Sequence, residues 1–526
     1  MKHGKQEMNK RLVLTGLIIG MFFSALEQTV VGTAMPTIIA ELNGFSIFAW
    51  VTTAYMISST TVIPIVGKLS DLYGRRVLYL LGTIIFIISS GLCATATTME
   101  QLILYRGIQG IGGGMIMPLS QTIVGDIFTA EQRAKWQGVF GALFGLSSVI
   151  GPFLGGFLVD TISWHWIFLI NVPFGLLSAI LIFIGLKHET FEKKKNAPID
   201  FGGIFTMIPA VVLLLGGLTF AGDKFAWASM ESLFIFGGAA ILLAAFLVIE
   251  RKAQEPVLDL SLFKNRVFAT TSGLGFLIGL GMFGAIMFVP MFMQGILGVT
   301  PTRAGSTMTP MMIALIFASV LGGRLLLKFR FRTVLTAGMA IAVAGFYFMS
   351  TMGPDSSTLT AYSYMVILGF GMGLVMPTLM IAIQNEFPKN KLGAVTSAST
   401  FFRSIGGTIG VTVLNVVMNH SLEKNLADVI ETEKNPIIAQ ILTKIGEKTD
   451  ALFGILVKPE LLKVPAEIKK PVIEGIETAW TQSFSTVFLT GLIFISIGIV
   501  VALSVGNGKI KRDSDLPKEQ ENGAAE

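Results

Sequence analysis

The chain has 526 residues, of which 52% are hydrophobic and only 14% charged, and its mean hydropathy is +0.71. An average soluble domain is about 25% charged, whereas here apolar runs of about 20 residues, each long enough to cross a bilayer, recur along almost the whole length. These figures exclude a soluble enzyme, a nucleic-acid factor and a disordered scaffold, and predict an all-α polytopic membrane protein.

In chain order the apolar periodicity predicts fourteen transmembrane helices. They lie near 12–36, 46–67, 77–97, 101–125, 136–158, 164–186, 201–221, 229–249, 267–296, 304–327, 333–352, 358–384, 392–418 and 481–505. The first run is too long for a signal-peptide core and reads as a retained span. Both termini then face one side, and Lys and Arg crowd the loops of that side, while the short loops opposite hold only Lys224 and Arg303. The positive-inside rule makes that side cytoplasmic, and the plasma membrane is the expected location. All six tryptophans fall at predicted span ends, where an amphipathic ring belongs. The long outer loop 420–479 carries Ile437, Ile438, Ile441, Leu442 and Ile445 at helical spacing, followed by Pro459, Pro465 and Pro471 as breakers. It is expected to form a small amphipathic cap, either a lid over the outer mouth or a segment packed on the outer surface.

Cys93 is the only cysteine and the four histidines are scattered, so no disulfide, metal site or cofactor is expected. No Gly-x-x-x-x-Gly-Lys-Ser/Thr loop and no His-Glu-x-x-His is present, which argues against a primary pump and an intramembrane metalloenzyme.

Two segments of the first half recur in the second at nearly equal offsets. Gly67–Arg76 is echoed by Gly323–Arg332, and Gly114-Met115-Ile116-Met117-Pro118 by Gly373-Leu374-Val375-Met376-Pro377. The offset pairs helices 1–6 with 9–14 and leaves helices 7 and 8 as an insertion. Two six-helix halves of the same orientation around a midplane site are the arrangement of rocker-type transporters. The expected domains are an N-terminus 1–11, a bundle 12–186, a linker 187–266 with two inserted helices, a second bundle 267–505 containing loop 420–479, and a tail 506–526.

The motifs resemble those of the major facilitator superfamily. Gly67-x-Leu69-x-Asp71-x-x-Gly74-Arg75-Arg76 resembles its motif A and Leu102-x-x-x-Arg106-x-x-Gln109-Gly110-x-Gly112 its motif B. The stretch from Gly145 to Gly151-Pro152-Phe153-Leu154-Gly155-Gly156 is similar to its antiporter motif C. Leu26–Pro36 and Trp164–Pro173 resemble segments of the fourteen-span drug:proton antiporters, with Glu27 where that pattern usually has Asp. The resemblance implies the major facilitator fold, two parallel six-helix bundles plus two inserted helices, and proton-coupled export by alternating access.

Glu27 is the one acid placed deep in a predicted span, where a charged carboxylate costs about 2.5–3.5 kcal/mol on insertion scales. It suits a proton carrier, or a carboxylic acid that merely hydrogen-bonds a neighbouring helix. Arg106, which stays charged, needs an acceptor from inside the bundle, and Glu27 is the candidate. Family resemblance gives this arginine a part in proton coupling; a structural anchor is the alternative. Arg403 is equally compatible with an anchor and with a cavity wall. By resemblance Asp71, Arg75 and Asp126 form a cytoplasmic latch, a solvated loop being the bland alternative. In motif C, Gly145, Gly151, Pro152, Gly155 and Gly156 would bend the helix and form a dry seam.

The substrate cavity is assigned to Phe23, Gln28, Gln109, Phe144, Phe283, Met287 and Arg403. Flexible and aromatic side chains suit promiscuous apolar ligands. The expected partners are therefore lipophilic or cationic small molecules, protons and the bilayer, with no nucleic acid and a monomeric state. An exporter of a lipid or endogenous metabolite is the runner-up, and a membrane receptor or scaffold the alternative of another class.

Overall fold

The computed structural model describes residues 9–42, 47, 49–186, 199–222, 225–299, 304, 308–446, 449–457, 459–462 and 464–509. Residues 1–8, 187–198 and 510–526, and with them much of the basic charge assigned to one membrane side, lie outside the described residues, as do Lys224 and Arg303.

The first half runs through α1 (Lys10–Leu42), α2 (Ala49–Tyr73), α3 (Arg75–Cys93), α4 (Met99–Ile127), α5 (Ala130–Thr161), the short α6 (Trp166–Leu169) and α7 (Asn171–Gly185). An inserted pair follows, α8 (Phe201–Phe220) and α9 (Met230–Glu250). The second half comprises α10 (Arg266–Gly295), α11 (Met308–Leu325), α12 (Phe331–Ser350), α13 (Thr358–Glu386), α14 (Leu392–Thr432), α15 (Pro436–Gly446), α16 (Thr449–Val457) and α17 (Ala466–Ser504). Local chemistry starts several of them. Thr98, Asp200, Ser229, Asn265 and Ser357 each accept a backbone N–H of the first turn as N-caps, and Thr129 with Gln132 forms a capping box.

Among the described residues eleven helices are long and apolar enough to cross a membrane, which makes this a multi-pass membrane protein. α2 and α4 are of similar length but are diluted by Ser, Thr, Gln and Gly, because they face the interior rather than lipid. The opposite extreme is α9, whose Phe234 and Ile241 stand more than two-thirds exposed, a surface suited to hydrocarbon.

The halves are packed alike. α4 lies against α2 and α3 as α13 lies against α11 and α12, and α1 lies against α5 and α7 as α10 lies against α14 and α17. The sequence repeat explains this at residue level. A Cβ on Gly114 would strike Ser59 and Val62 of α2, and one on Gly373 would strike Leu315 and Ala318 of α11. Likewise Gly112 lies on Gly82 and Phe86 of α3, and Gly371 on Gly338 and Ala342 of α12. Glycine at these positions lets backbones approach without lipid or side chains between them.

The halves meet along two seams, α2 against α14 and α5 against α11. The inserted α8 covers the first seam by touching both α2 and α14. The strap that follows α9, residues 251–265, ties both halves at the end of the bundle that carries Gly74. Lys68 pairs with Glu255 at 2.7 Å and Lys391 with Asp259 at 3.5 Å, while Val257, Leu258 and Leu262 are buried. Burial alone would raise the Asp259 carboxyl, but hydrogen bonds from Ser261 and the Lys391 ammonium outweigh it and hold it below the usual carboxylate range.

The expected loop 420–479 is mostly helix. α14 continues to Thr432 and α17 begins at Ala466, 41 and 39 residues long. At 1.5 Å per residue each spans about 60 Å, roughly twice the hydrocarbon core, so both project beyond it. α15 and α16 bridge the projecting ends, with Ile438 and Leu442 buried against them. Pro471 falls inside α17 and does not break it, contrary to expectation.

Candidate functional site

At the centre of the first half α1, α3, α4 and α7 bring a set of polar side chains together without water access. Arg106 Nη1 lies 2.6 Å from Glu27 Oε1, and each residue is 1% exposed. The second Glu27 oxygen accepts from Asn171 Nδ2. Arg106 also donates to Gln109 Oε1 at 2.7 Å and to the Val51 carbonyl at 3.3 Å, and Gln109 donates to Ser90 Oγ at 2.6 Å. The Arg106 guanidinium carbon stands 4.3 Å from the Tyr55 ring centre and 5.9 Å from that of Phe168. The helix spacing builds this: Arg106, Gln109, Gly110 and Gly113 share one face of α4. The two glycines let α2 lie so close that a Cβ on either would strike Tyr55.

Beside this pair, between the two halves, lies a cavity of about 230 Å³. Ser24, Gln28, Tyr55, Gln121, Gln137 and Phe144 line it from the first half, and Met282, Met311, Met312, Met376, Met380 and Arg403 from the second. Glu27 and Arg106 are not on its surface. Tyr55 is on the surface, and its ring also packs on the Arg106 guanidinium. The wall is richer in methionine than in phenylalanine, and it contains no Asp or Glu among the described residues.

Of the expected cavity residues, Gln28, Phe144 and Arg403 line it. Gln109 does not, because Arg106 and Ser90 hold it in the sealed network. Phe23 is packed on Phe174 at a ring separation of 4.0 Å, and Met287 is 43% exposed on the outside. The Phe283 side chain lies outside the described residues.

At the Gly74 end the motif A residues form a closed cluster that crosses to the second half. Gly74 takes φ 96°, a left-handed turn suited to glycine, and so sets the start of α3 under the end of α2. Arg75, 1% exposed, is paired with Asp71, with Asp126 Oδ2 at 2.9 Å, and with Ser70 Oγ at 2.7 Å. The Asp71 carboxylate accepts the Gly393 N–H at 3.0 Å and the Ala394 N–H at 2.8 Å. These are first-turn amides of α14, whose helix dipole favours an anion there. Arg133 adds a bond to the Gln384 carbonyl at 3.1 Å, and Gln384 returns one to the Gln121 carbonyl at 3.2 Å. The sequence carried no sign of Arg133, Gln384 and Gly393, because one end of each bond is a backbone atom that any residue type could supply.

The antiporter segment divides. Gly145 lies on Met312 of α11, in the second seam, and a Cβ on Gly151 would strike Thr29 of α1. A Cβ on Gly156 would meet open space, so close packing does not explain that glycine. Gly155 is buried, and the Pro152 side chain lies outside the described residues.

The sequence pattern of the Major Facilitator Superfamily matches residues 17–411. The chain is 47% identical to the Multidrug transporter protein MdtP of Bacillus subtilis (strain 168), over 95% of this chain and 94% of that protein. It is 38% identical to Multidrug resistance protein 3 of the same organism, over 98% of each. In fold it is similar to the human organic anion transporter MFSD10 (TETRAN), with a TM-score of 0.59 over 93% of this chain and 100% of that one; at 15% identity this likeness speaks to the fold alone. The chain belongs to the major facilitator superfamily and is a multi-pass membrane transporter, not an enzyme.

Proposed function

We propose that the protein is a proton-coupled antiporter that expels lipophilic small molecules, drugs among them, across the plasma membrane by alternating access. It acts as a monomer of fourteen spans, with both termini cytoplasmic. The observation that carries the reading is the buried acid–base pair in the middle of the first half, Glu27–Arg106, whose tyrosine neighbour Tyr55 also lines the central cavity. The printed activity of two relatives, multidrug transport and multidrug resistance, supports the drug-efflux part.

The basic loops assign the Gly74 end to the cytoplasm. The Asp71–Arg75–Asp126 cluster and its bonds to α14 then hold the cytoplasmic side shut. Opening inward requires α14 to leave Asp71, and separation of the halves also strains the Lys68–Glu255 and Lys391–Asp259 ties. Protonation of Glu27 removes the charge that faces Arg106, which keeps its own. Arg106 is then held by Gln109, the Val51 carbonyl and the Tyr55 ring, and the tyrosine transmits that rearrangement to the cavity wall. Substrate and proton thereby favour different arrangements of the same helices, which is what exchange requires. Each proton moving inward with the field releases about 2.3 kcal/mol per 100 mV.

The test is accumulation of lipophilic fluorescent compounds in energised everted vesicles, with and without an uncoupler. Collapse of accumulation on adding uncoupler is expected; accumulation indifferent to it contradicts the antiport reading.

A further inference from the structure

The cavity holds a charge that the described protein does not balance. Arg403, on α14, lines it, and the polar contact of its guanidinium is Nη1 to Met376 Sδ at 3.6 Å. A thioether is a weak acceptor, and arginine cannot shed its proton to escape burial. Glu27 does not line the cavity and is committed to Arg106 and Asn171. No Asp or Glu appears among the described lining residues. An uncompensated charge in a largely apolar enclosure is unfavourable, so a ligand that pairs with it gains by doing so.

Other atoms of the wall agree. Three atoms of lining residues are buried without a protein partner: Gln137 Nε2, which donates, Ser319 Oγ, which donates or accepts, and Gln121 Oε1, which accepts. The surroundings are methionine thioethers and the rings of Tyr55, Phe140 and Phe144, which accept an apolar body of variable shape. A planar guanidinium with hydrogen-bond donors about it matches a carboxylate or a similar oxyanion. A lipophilic cation would meet Arg403 with like charge and find no carboxylate to offset it.

We propose that this cavity takes lipophilic anions, compounds with an apolar body and one carboxylate or equivalent oxyanion, with Arg403 as counter-charge, in preference to lipophilic cations. The proposal rests on the exporter reading, since it names the substrate class of that cavity, and it narrows the lipophilic or cationic class expected from the sequence to lipophilic anions.

The test uses three probes with one fluorescent body: pyrenebutyrate, its neutral amide and the corresponding pyrene-alkyl amine. Binding is measured to the full-length protein in lipid nanodiscs. The carboxylate is expected to bind about tenfold more tightly than the amine, the scale of a charge-assisted contact. Arg403→Gln should bring the carboxylate-to-amide affinity ratio close to one, and Arg403→Lys should restore part of the preference. Equal or tighter binding of the amine to the wild type overturns the proposal. So does a carboxylate-to-amide ratio unchanged in Arg403→Gln. If that variant does not fold, the wild-type order of the three probes decides by itself. Everted vesicles separate the two readings. Proton-driven transport of amide and amine with the carboxylate refused defeats the anion proposal and spares antiport. Uncoupler-indifferent transport with the carboxylate still bound most tightly defeats antiport and spares the anion proposal.

Discussion

The Tyr55 ring centre stands 4.3 Å from the Arg106 guanidinium, and the same residue forms part of the cavity wall. One side chain therefore touches both the buried ion pair and the space where substrate is proposed to sit. A cation–π contact of this kind is worth about 0.5–2 kcal/mol, enough to bias two conformations by about two- to thirtyfold. Tyr55→Leu is expected to uncouple transport, leaving proton flux without substrate, while Tyr55→Phe keeps the ring and most of the coupling. Vesicles loaded with a pH-sensitive dye measure this; tight coupling in Tyr55→Leu would remove the tyrosine from the account.

The ion pair itself makes a stability prediction. Breaking a buried pair by removing one partner costs about 3–5 kcal/mol, because the other charge is stranded. Arg106→Gln should lower the Tm of the purified protein clearly, and the double change Glu27→Gln with Arg106→Gln should recover a large part of the loss. Additive losses in that cycle would show that the two residues do not act as a unit.

The two sets of contacts at the Gly74 end should differ in weight. Asp71→Asn weakens two hydrogen bonds to α14 amides and a buried ion pair, with charged hydrogen bonds worth about 1.5–3 kcal/mol each. Glu255→Gln removes one partly exposed pair, worth about 0–1 kcal/mol. A cysteine introduced at Met117, on the cavity wall, should therefore be labelled from the cytoplasmic side much faster in Asp71→Asn and only slightly faster in Glu255→Gln. The native Cys93 is buried. The depressed Asp259 carboxyl adds a pH statement. Its contribution is present above the unfolded value and lost only as pH falls through the lower folded one, below about 4. The part of the labelling rate that depends on the Lys391–Asp259 tie should stay constant between about pH 5 and 8.

Two glycines form a matched pair for mutation. Gly112→Val would drive side-chain atoms into the Phe86 backbone and is expected to prevent stable folding, seen as loss of the monodisperse peak in detergent. Gly156→Ala meets open space and should leave that peak and transport intact.

The readings that came through from sequence to structure were those where composition left few options. With so little charge in the chain, Glu27 and Arg106 stood out as the acid and base at depth, and the structure pairs them. The repeat of Gly114–Pro118 in Gly373–Pro377 likewise forecast the matched packing of α4 and α13. Direction was harder. Phe23 and Met287 looked like cavity residues by type alone, yet hydrophobicity does not say whether a side chain faces lipid, a neighbour or a cavity. Gln109 was given to the cavity as part of a polar edge of α4, but Arg106 and Ser90 take up its hydrogen bonds. Asp71 was placed in a cluster, but its bonds to Gly393 and Ala394 go to backbone amides, which leave no mark on residue identity. The length of α14 and α17 was missed because polar residues beyond the hydrocarbon read as loop although the helix simply continues.

The central claim, that Glu27 carries the exchanged proton, is tested most directly by Glu27→Gln in proteoliposomes containing only this protein. The account predicts that an imposed pH gradient no longer drives substrate movement, while binding and gradient-free substrate exchange persist. Full gradient-driven transport by Glu27→Gln would contradict it.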